Sequence, residues 1–467
     1  MKYNSNFKKA EVMVEHKLKK GYDIQLAGTA VKLRSPVEKP KQYALQPPDF
    51  LGIKPKLLVK VGDKVKIGTP LIIDKQNPDY NFVSPASGEV TEINRGERRA
   101  IQEVVVKDDG EDQYEVFERY NEKNVANASR EDLIKIMMAG GVWQYLRQRP
   151  FSKIANPSAA PRDIFVSGMD TAPMATDMTM VMENQEDYFR LGLKVLGKLT
   201  EGQVFLSVDG RAEKLPKAFE NLDSVEIHKF KGPHPSGHTS VHIANIKPLN
   251  VGEIVWYAFA QDVAAIGKFF TYGRFPVERV ISVAGSSIKP DSRRYFDTRV
   301  GVPVQSLVTE GDLLDHSVRY ISGNVLSGRK IFENGYLGFY NNLLSVIPES
   351  SQRDLFGWLT PGYKDESFSR TFLSRYIRSD EYIKDTRIHG GKRAFVQTGD
   401  YEKMLPLDIY PAYLVKAIMA GEIEDMIGMG LLEVAVEDFA LCTYICPSKI
   451  DFGYWIHQGL TMLEDEG

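Results

Sequence analysis

Cysteine is nearly absent from this 467-residue sequence, which contains only Cys442 and Cys446. Two cysteines are too few for a disulfide scaffold in a chain of this length, and they are easily kept as thiols in a reducing compartment. A charge excess of either sign is also absent, since 59 Lys and Arg residues stand against 62 Asp and Glu residues. The net charge of −3 provides no positive electrostatic field that would attract a phosphate backbone, so nucleic-acid binding is disfavoured.

Long apolar runs are missing as well. The longest, from Ile254 to Ala260, has seven residues, whereas a helix needs about 20 to span a bilayer. The N-terminal segment from Met1 to Gly21 mixes charges throughout and lacks the apolar stretch of a secretory signal. The sequence therefore predicts a cytoplasmic protein with no transmembrane helix.

The common nucleotide-binding and catalytic motifs are missing too. The sequence has no Gly-x-Gly-x-x-Gly after a predicted strand and no Gly-x-x-x-x-Gly-Lys-Ser/Thr, the two loops that cradle phosphate groups. Neither a Gly-x-Ser-x-Gly elbow nor a His-Glu-x-x-His pair is present. These absences predict that the chain has no self-sufficient active site.

A small all-β module is the first feature that is present. The chain length predicts about three domains at roughly 150 residues each. In the first of these regions, from Lys54 to Lys107, short β-rich runs alternate with Gly and Pro turns. This pattern resembles the barrel-sandwich domains that carry lipoyl or biotinyl groups. Asn77 stands where a lipoyl carrier has its lysine, and Lys75 is two residues out of register. The module is therefore either purely structural or carries a modified lysine.

Strands and helices alternate in the region that follows a charged stretch at 108–130. Strand-like runs lie at 162–168, 202–208 and 224–228, and helical patterns lie at 185–200 and 214–222. This alternation predicts parallel βαβ units.

Two further parts of the chain have their own patterns. The runs 279–285 and 298–303 predict a compact sheet module with Gly and Pro at its turns. Residues 405–430 and 431–467 are rich in Leu, Met, Ile and Ala, which predicts a helical C-terminal region.

Histidine and cysteine form two patterns that could hold a metal. His234, His238 and His242 are spaced by four, but Pro233, Pro235 and Gly237 prevent a continuous helix there, so the segment is either a turn or a zinc-binding loop.

The two cysteines lie four residues apart before a proline, as at the end of iron–sulfur ligand runs. Two thiolates cannot hold a cubane cluster alone. Cys442 and Cys446 are therefore either buried small residues or part of an intermolecular site.

Six blocks in a fixed order resemble one protein family, and together they extend over nearly the full length of the chain. They are Arg149-Pro-Phe-Ser-Lys153, Gly232-Pro-His-Pro-Ser-Gly237, Gln261-Asp-Val-Ala-Ala-Ile-Gly-Lys268, Ile321-Ser-Gly-Asn-Val-Leu-Ser-Gly328, Met404-Leu-Pro-Leu-Asp408 and Glu437-Asp-Phe-Ala-Leu-Cys-Thr-Tyr-Ile-Cys-Pro447. The family is the A subunit of the sodium-translocating NADH:quinone oxidoreductases, which is similar to the C subunit of the Rnf complex and to the NADH-binding subunit of respiratory complex I.

The resemblance implies a multidomain α/β plus β fold in four parts. These are an N-terminal arm and barrel-sandwich module at 1–108, a Rossmann-like α/β domain at 109–275, a β-grasp module at 276–330 and a mainly helical C-terminal domain at 331–467.

The resemblance also implies a function. The chain would be a cofactor-free, peripheral subunit on the cytoplasmic face of the bacterial inner membrane. Its complex would oxidise NADH, reduce ubiquinone or menaquinone and pump Na⁺, with FAD, FMN, riboflavin and iron–sulfur centres in the integral membrane and peripheral partner subunits. The alternative is a soluble carrier or ligand-binding enzyme built on the lipoyl-like module and the α/β domain.

Docking on a membrane subunit is expected through protein surface, because no apolar span is available. The candidates are the barrel-sandwich module and the arm from Met1 to Gly21, which is basic. Its lysines are Lys8, Lys9, Lys17, Lys19 and Lys20.

The segment from Gly140 to Lys153 departs from the related flavin loops. Those loops are rich in glycine, whereas bulky side chains follow Gly141 here, so flavin is not expected to fit. The candidate quinone-binding residues are Trp143, Tyr145, Arg147, Arg149, Phe151 and Lys153. Flat apolar rings and cationic donors suit a quinone. The alternative is that the aromatic residues plug a vacated cavity while the basic residues pair with carboxylates at a subunit interface.

Overall fold

The structure is a computed structural model that describes most of the chain. The described residues are 13–466 without 224, 351–358, 360, 364, 367, 370, 371, 377 and 378. The first twelve residues of the basic arm, with Lys8 and Lys9, lie outside this range. Within it, no helix is both long and apolar enough to cross a membrane.

The described residues form strands and α-helices in a mixed order. The strands are β1 (Val14–Lys17), β2 (Arg34–Pro36), β3 (Gln42–Leu45), β4 (Pro55–Leu57), β5 (Lys64–Val65), β6 (Pro70–Asp74), β7 (Asn81–Val83), β8 (Gly88–Arg95), β9 (Ile101–Asp108), β10 (Arg147–Arg149), β11 (Ile164–Gly168), β12 (Val204–Asp209), β13 (Glu226–Lys231), β14 (Val255–Phe259), β15 (Glu278–Ala284), β16 (Tyr295–Arg299), β17 (Val318–Ser322), β18 (Arg329–Ile331) and β19 (Leu343–Pro348). The α-helices are α1 (Glu122–Asn127), α2 (Arg130–Ala139), α3 (Met178–Val181), α4 (Glu186–Leu199), α5 (Thr239–Ile246), α6 (Ala260–Tyr272), α7 (Tyr401–Met404), α8 (Pro411–Ala420), α9 (Ile423–Gly428), α10 (Ala440–Ile445) and α11 (Phe452–Glu466).

The barrel module consists of two small antiparallel sheets, with strand orders β3-β9-β8-β5 and β4-β6-β7. Their inward residues, such as Ile72, Phe82 and Val104, are buried in one core. Gly88 is needed where β8 meets the end of β9, because a Cβ there would lie 1.9 Å from the Lys107 carbonyl oxygen and φ is +143°. The predicted all-β module between Lys54 and Lys107 is confirmed.

The α/β region forms a six-stranded sheet with the order β1-β13-β12-β11-β14-β10. All neighbours are parallel except β10, which is antiparallel to β14. In β11, Ile164 and Val166 share a core with residues of α4 and α6, whereas Phe165 packs with Ile243 of α5 on the other face. Both faces are therefore covered, which explains why the central strands β11, β12 and β14 are mostly apolar on both faces.

The third sheet has the order β18-β17-β19-β15-β16-β2. Its core contains Ile281, Val283, Leu344 and Val346. The runs 279–285 and 298–303 were predicted to form a compact sheet module, and in the second run β16 ends at Arg299. The reason is a turn at Gly301, where φ is +72° and a Cβ would lie 2.1 Å from the Ala44 carbonyl oxygen of the barrel module.

The C-terminal region is helical, as predicted. The helices α7 to α11 share a core in which Leu414, Phe439 and Phe452 are fully buried. Cys442 and Cys446 belong to that core, and burial raises the pKa of the Cys442 thiol well above its usual range. Both cysteines are free thiols.

Two local predictions in the α/β region fail in detail. The helix predicted at 214–222 is wrong, since only Lys217–Phe219 forms a single 3-10 turn. Pro216 is extended immediately before it, and so short a segment cannot offset the cost of helix nucleation. The strand predicted at 224–228 lies two residues further on, at Glu226–Lys231.

Candidate functional site

The segment from Gly140 to Lys153 lies where the barrel module, the α/β sheet and the C-terminal helices meet. Gly140 and Gly141 pack tightly after α2: a Cβ would lie 2.2 Å from the Phe269 ring at Gly140 and 2.6 Å from Val83 of β7 at Gly141. These two glycines therefore allow close packing of the protein against itself. The chain then forms a 3-10 turn, Trp143–Tyr145, and the edge strand β10.

Trp143 and Tyr145 are almost completely buried, each with 1% of its surface exposed. The Trp143 indole Nε1 donates to the Ala155 carbonyl oxygen at 2.8 Å, and its ring meets Trp256 edge-on at 5.3 Å. The Tyr145 ring stacks on Phe339 of the third sheet region at a centroid distance of 5.0 Å. These two aromatic side chains therefore act as packing residues between the sheets.

Arg147 lies on a platform of three aromatic rings. Its guanidinium is 4.7 Å from the Tyr257 centroid, 5.1 Å from that of Phe259 and 4.6 Å from that of Tyr340. The register of β10 and β14 places Arg147 directly opposite Tyr257, so the contact is a cross-strand pair. The Arg147 guanidinium therefore contacts the faces of aromatic rings. Within the described residues it makes no ion pair.

Arg149 and Lys153 are paired with acids of the C-terminal region. Arg149 is 1% exposed, its Nη2 donates to Glu437 Oε1 at 3.0 Å, and its guanidinium lies 4.9 Å from the Tyr257 centroid. Lys153 forms an ion pair with Glu464 at the end of α11. Both bonds cross from the candidate segment to the helical domain, so they hold that domain in place.

Phe151 is half-buried and has a φ of +79°, in the left-handed region that favours glycine. Its side chain packs against the C-terminal core. The next residue, Ser152, also has a positive φ, and its hydroxyl accepts a hydrogen bond from Arg149. The strained turn therefore directs the chain from β10 toward the helical domain.

The six predicted residues thus face three different neighbours. Trp143 and Tyr145 are packed between sheets, and Arg147 and Arg149 share the Tyr257 ring. Phe151 and Lys153 touch the C-terminal helices. None of the six side chains lines the cavity of about 450 Å³ that lies between α6 and β16. Only Arg147, Phe151 and Lys153 keep appreciable exposed surface.

The three spaced histidines also serve separate contacts. His234 Nδ1 lies 3.2 Å from the Thr171 hydroxyl, His238 Nδ1 lies 2.9 Å from Asp438 Oδ1, and His242 Nε2 lies 3.0 Å from the Ser236 carbonyl oxygen. No group of three or more His, Cys, Asp or Glu in the described part of the chain is arranged to hold a metal ion.

The pKa values of these histidines differ because their partners differ. Burial lowers the pKa of His242 to about 3 and that of His234 well below its usual range. Burial also acts to lower the pKa of His238, but the hydrogen bond and charge of Asp438 outweigh it, so that pKa is raised. His238 and Asp438 therefore form a second polar link between the α/β region and the helical domain.

The acidic partners of the basic residues were not predicted from the sequence. Glu437 and Asp438 stand together at the start of the block that ends at Pro447, and they receive Arg149 and His238 respectively. Two adjacent acids before the apolar run Phe439-Ala-Leu441 were the available signal. The aromatic platform was also missed, although two of its three rings, Tyr257 and Phe259, fall within Val255–Phe259.

Fold and site together define a multidomain, mixed α/β protein with a barrel-sandwich module, whose Gly140 to Lys153 segment is packed by its own side chains against a helical C-terminal domain. Three family models match successive parts of the chain. They are the NqrA N-terminal barrel-sandwich hybrid domain at 16–109, the NqrA second alpha/beta domain at 128–275 and the NQRA C-terminal domain at 280–332.

Curated relatives match over their whole length. The A subunit of the Na(+)-translocating NADH-quinone reductase from Photorhabdus laumondii is 38% identical over 97% of this chain and 100% of its own. The A subunits from Neisseria meningitidis serogroup B and Hahella chejuensis are each 39% identical with the same coverage. The chain belongs to the A-subunit family of Na⁺-translocating NADH-quinone reductases, which confirms the resemblance identified from the six blocks.

The overlap with a solved structure is weak. An NAD⁺-reducing [NiFe]-hydrogenase in the air-oxidized state overlaps with a TM-score of 0.37 at 12% identity, covering 76% of this chain and 66% of that one. A similarity this weak carries no argument.

Proposed function

We propose that this chain is the A subunit of a Na⁺-translocating NADH:quinone oxidoreductase. The observation that carries the proposal is the 38% identity over 97% of the chain and the whole length of a relative with that name. The chain acts as a peripheral subunit on the cytoplasmic face of a bacterial inner membrane, and its complex oxidises NADH, reduces ubiquinone or menaquinone and pumps Na⁺.

In this proposal the redox groups belong to the partner subunits, which hold FAD, FMN, riboflavin and iron–sulfur centres. The support is the packing of the Gly140 to Lys153 segment. Its two glycines lie against Phe269 and Val83, and its large aromatic residues are buried. A flavin needs backbone amides that its phosphate can approach, and residues 140–146 of this segment are all buried.

The proposed domain division is 1–108, 109–275, 276–330 and 331–467, with the second part Rossmann-like and the third β-grasp-like. Strand pairing suggests moving the third boundary to 348, because β18 and β19 belong to the same sheet as β15. The N-terminal arm is not a separate tail along its whole length, since β1 adds to the edge of the α/β sheet beside β13.

Purification of the complex tests the proposed function. A tagged copy of the full chain, expressed in its source cells, should retain integral membrane proteins and Na⁺-stimulated NADH:quinone reductase activity after detergent extraction. The free chain should be colourless in the visible range. Because Val14–Lys17 belongs to the α/β sheet, a variant that lacks only residues 1–12 separates docking by the arm from docking by the barrel module. A chain that elutes without membrane partners, or a yellow or brown free chain, would overturn the proposal.

We propose a quinone contact as a second role for the candidate segment, made by Arg147, Phe151 and Lys153, with Trp143, Tyr145 and Arg149 holding these three in place. The partly exposed surface of the first three supports this division. The half-buried Phe151 ring lies between two cationic side chains in sequence, an arrangement that suits a flat ring with carbonyl oxygens.

Replacing Phe151 with alanine should weaken the binding of a quinone analogue to the full chain at least tenfold, about 1.4 kcal/mol. The melting temperature should change much less than in Arg149→Ala, which removes the buried partner of Glu437. Equilibrium binding and thermal melting measure the two effects. Unchanged affinity in Phe151→Ala, or a loss that follows a fall in melting temperature, would show that the segment is a structural plug.

A further inference from the structure

A pair of histidines joins the N-terminal segment to the edge of the α/β sheet. The edge strand β1, Val14–Lys17, is parallel to β13. His16 Nε2 of β1 lies 2.9 Å from His228 Nδ1 of β13, so one imidazole ring donates a hydrogen bond to the other. The proposed electron-transfer function gives this pair no role.

Within β1, only His16 is turned toward the rest of the protein. Val14, Glu15 and Lys17 are exposed, whereas His16 is half-buried. Its ring stacks on that of Phe230, the residue opposite it in the strand register, at a centroid distance of 4.6 Å. The histidine pair and this stack are therefore the side-chain contacts that hold β1 between its two ends.

The groups that can carry charge near the pair lie on both faces of the two strands. Because side chains alternate along a strand, His16, His228 and Glu226 share one face. Glu226 Oε1 lies 3.0 Å from His228 Nε2. The charged residues of these strands on the opposite face are Glu15, Lys17, Lys229 and Lys231.

The helix α5 adds a third histidine beside the pair. His242 packs on the Phe230 ring at a centroid distance of 4.5 Å. Burial lowers the pKa of His242 to about 3, so this ring stays neutral in the pH range where His16 and His228 can titrate. Glu226 is therefore the acid that can balance a positive charge on the pair.

Protonation of both rings is incompatible with the observed contact. A hydrogen bond between two imidazoles needs one ring nitrogen that carries no proton. If a single ring is protonated the bond persists, because the charged ring donates to the neutral one. If both are protonated, two N–H groups point at each other across 2.9 Å and the like charges repel.

The pKa values agree with this geometry. Burial and the charge of His228 lower the pKa of His16. Burial also lowers the pKa of His228, although Glu226 opposes that effect. A histidine whose pKa is lower in the attached segment than in the free one stabilises attachment above its ordinary pKa of about 6.5. This stabilisation is lost as the pH falls below that value through the lowered pKa.

We propose that the His16–His228 pair is an acid-sensitive clasp that holds the N-terminal segment on the sheet edge. Near neutral pH the clasp is closed and β1 covers the edge of β13. Protonation of both rings opens it, which releases β1 and leaves the backbone groups at the edge of β13 unpaired. This inference does not depend on the proposed electron-transfer function.

Hydrogen exchange of the full chain between pH 7.5 and pH 5.0 tests the proposal, with each rate corrected for the intrinsic pH dependence of amide exchange. We expect the protection of the amides of residues 14–18 to fall at least tenfold over this range. The Trp256 amide, which donates to the Asp163 carbonyl oxygen at 3.1 Å inside the sheet, should stay protected at both pH values.

Three variants separate the clasp from a general effect of acid. His16→Phe keeps a ring against Phe230 and removes the titrating group, so the protection of residues 14–18 should change less than threefold over the same range. His316→Phe, at an exposed histidine, is the matched control and should keep the tenfold fall. Glu226→Gln removes the acid that supports a charge on His228, so the fall should begin at a higher pH than in the unmodified chain.

Three results would overturn the proposal: equal protection of residues 14–18 at the two pH values, a tenfold fall that persists in His16→Phe, or an equal fall at the Trp256 amide. If His16→Phe leaves the segment unprotected at both pH values, Glu226→Gln decides. A fall that begins at a higher pH in that variant supports the clasp, whereas an unchanged or lower pH overturns it.

Discussion

Replacing Gly267 with alanine should lower the free energy of unfolding of the α/β region by about 2 kcal/mol or more. A Cβ on Gly267 of α6 would lie 1.8 Å from the Tyr188 carbonyl oxygen of α4, and one on Gly192 of α4 would lie 2.1 Å from the Val263 carbonyl oxygen of α6. The two helices therefore touch backbone to backbone. Opening this contact costs about 3 kcal/mol in lost packing, and the higher helix propensity of alanine returns only about 1 kcal/mol.

Gly197 provides the matched control for this prediction. It is in the same helix as Gly192, but a Cβ there would meet nothing within 4 Å. Gly197→Ala should therefore stabilise the protein by about 0.5 to 1 kcal/mol through helix propensity alone. Chemical unfolding followed by tryptophan fluorescence measures both changes, since Trp143 and Trp256 are buried beside the sheet. Equal stabilities of the two variants would contradict the close helix contact.

Local sequence patterns predicted the elements whose apolar residues form a continuous run or recur at helical spacing. The apolar run of β11 and the helical spacing of Phe189, Leu193 and Leu196 in α4 are visible without any tertiary information. In contrast, α6 was missed as a helix because β14 ends at Phe259 and α6 begins at Ala260, with no Gly or Pro between them. The apolar residues of the buried strand β14 are followed directly by those of the buried helix α6, so the sequence shows no boundary between the two elements.

Long-range pairing was the other part that local patterns could not supply. Val14–Lys17 reads as part of a charged arm, yet it adds to the sheet beside β13, more than 200 residues later, with His16 bonded to His228 at 2.9 Å. A polar edge strand of four residues carries too little apolar periodicity to be recognised. Its position is determined by the free edge that β13 offers.

The candidate segment was chosen from its residue types, and the sequence left open which way each side chain points. The alternation of aromatic and basic residues after Gly141 is real, but an alternation does not say which side meets solvent. The register of β10 against β14 turns Arg147 and Arg149 onto the Tyr257 ring, and Glu437 receives Arg149 from 288 residues away. Only the tertiary fold brings that acid to the segment.

Replacing Asp262 with asparagine should lower the free energy of unfolding by about 3 to 5 kcal/mol, because it leaves a buried guanidinium without a counter-charge. Asp262 in the first turn of α6 lies 2.6 Å from Arg279 of β15, and the side chains of both are at most 5% exposed. Burial raises the pKa of Asp262, and the charge of Arg279 opposes that effect. The pair joins the α/β sheet to the third sheet, so its loss should separate their unfolding transitions.

Removing both charges should be far less harmful than removing one. Asp262→Leu combined with Arg279→Met replaces the pair with apolar side chains of similar volume, and such replacements of buried pairs are often neutral or stabilising. The double variant should therefore recover at least half of the loss, although the Phe339 carbonyl oxygen loses its bond from Arg279 at 3.0 Å. Asp400→Asn, at an exposed pair with Lys403, should change stability by less than about 1 kcal/mol. Calorimetric melting of the four proteins measures these differences. If Asp262→Asn melts like Asp400→Asn, water reaches the pair and the two sheets are not joined by a buried charge contact.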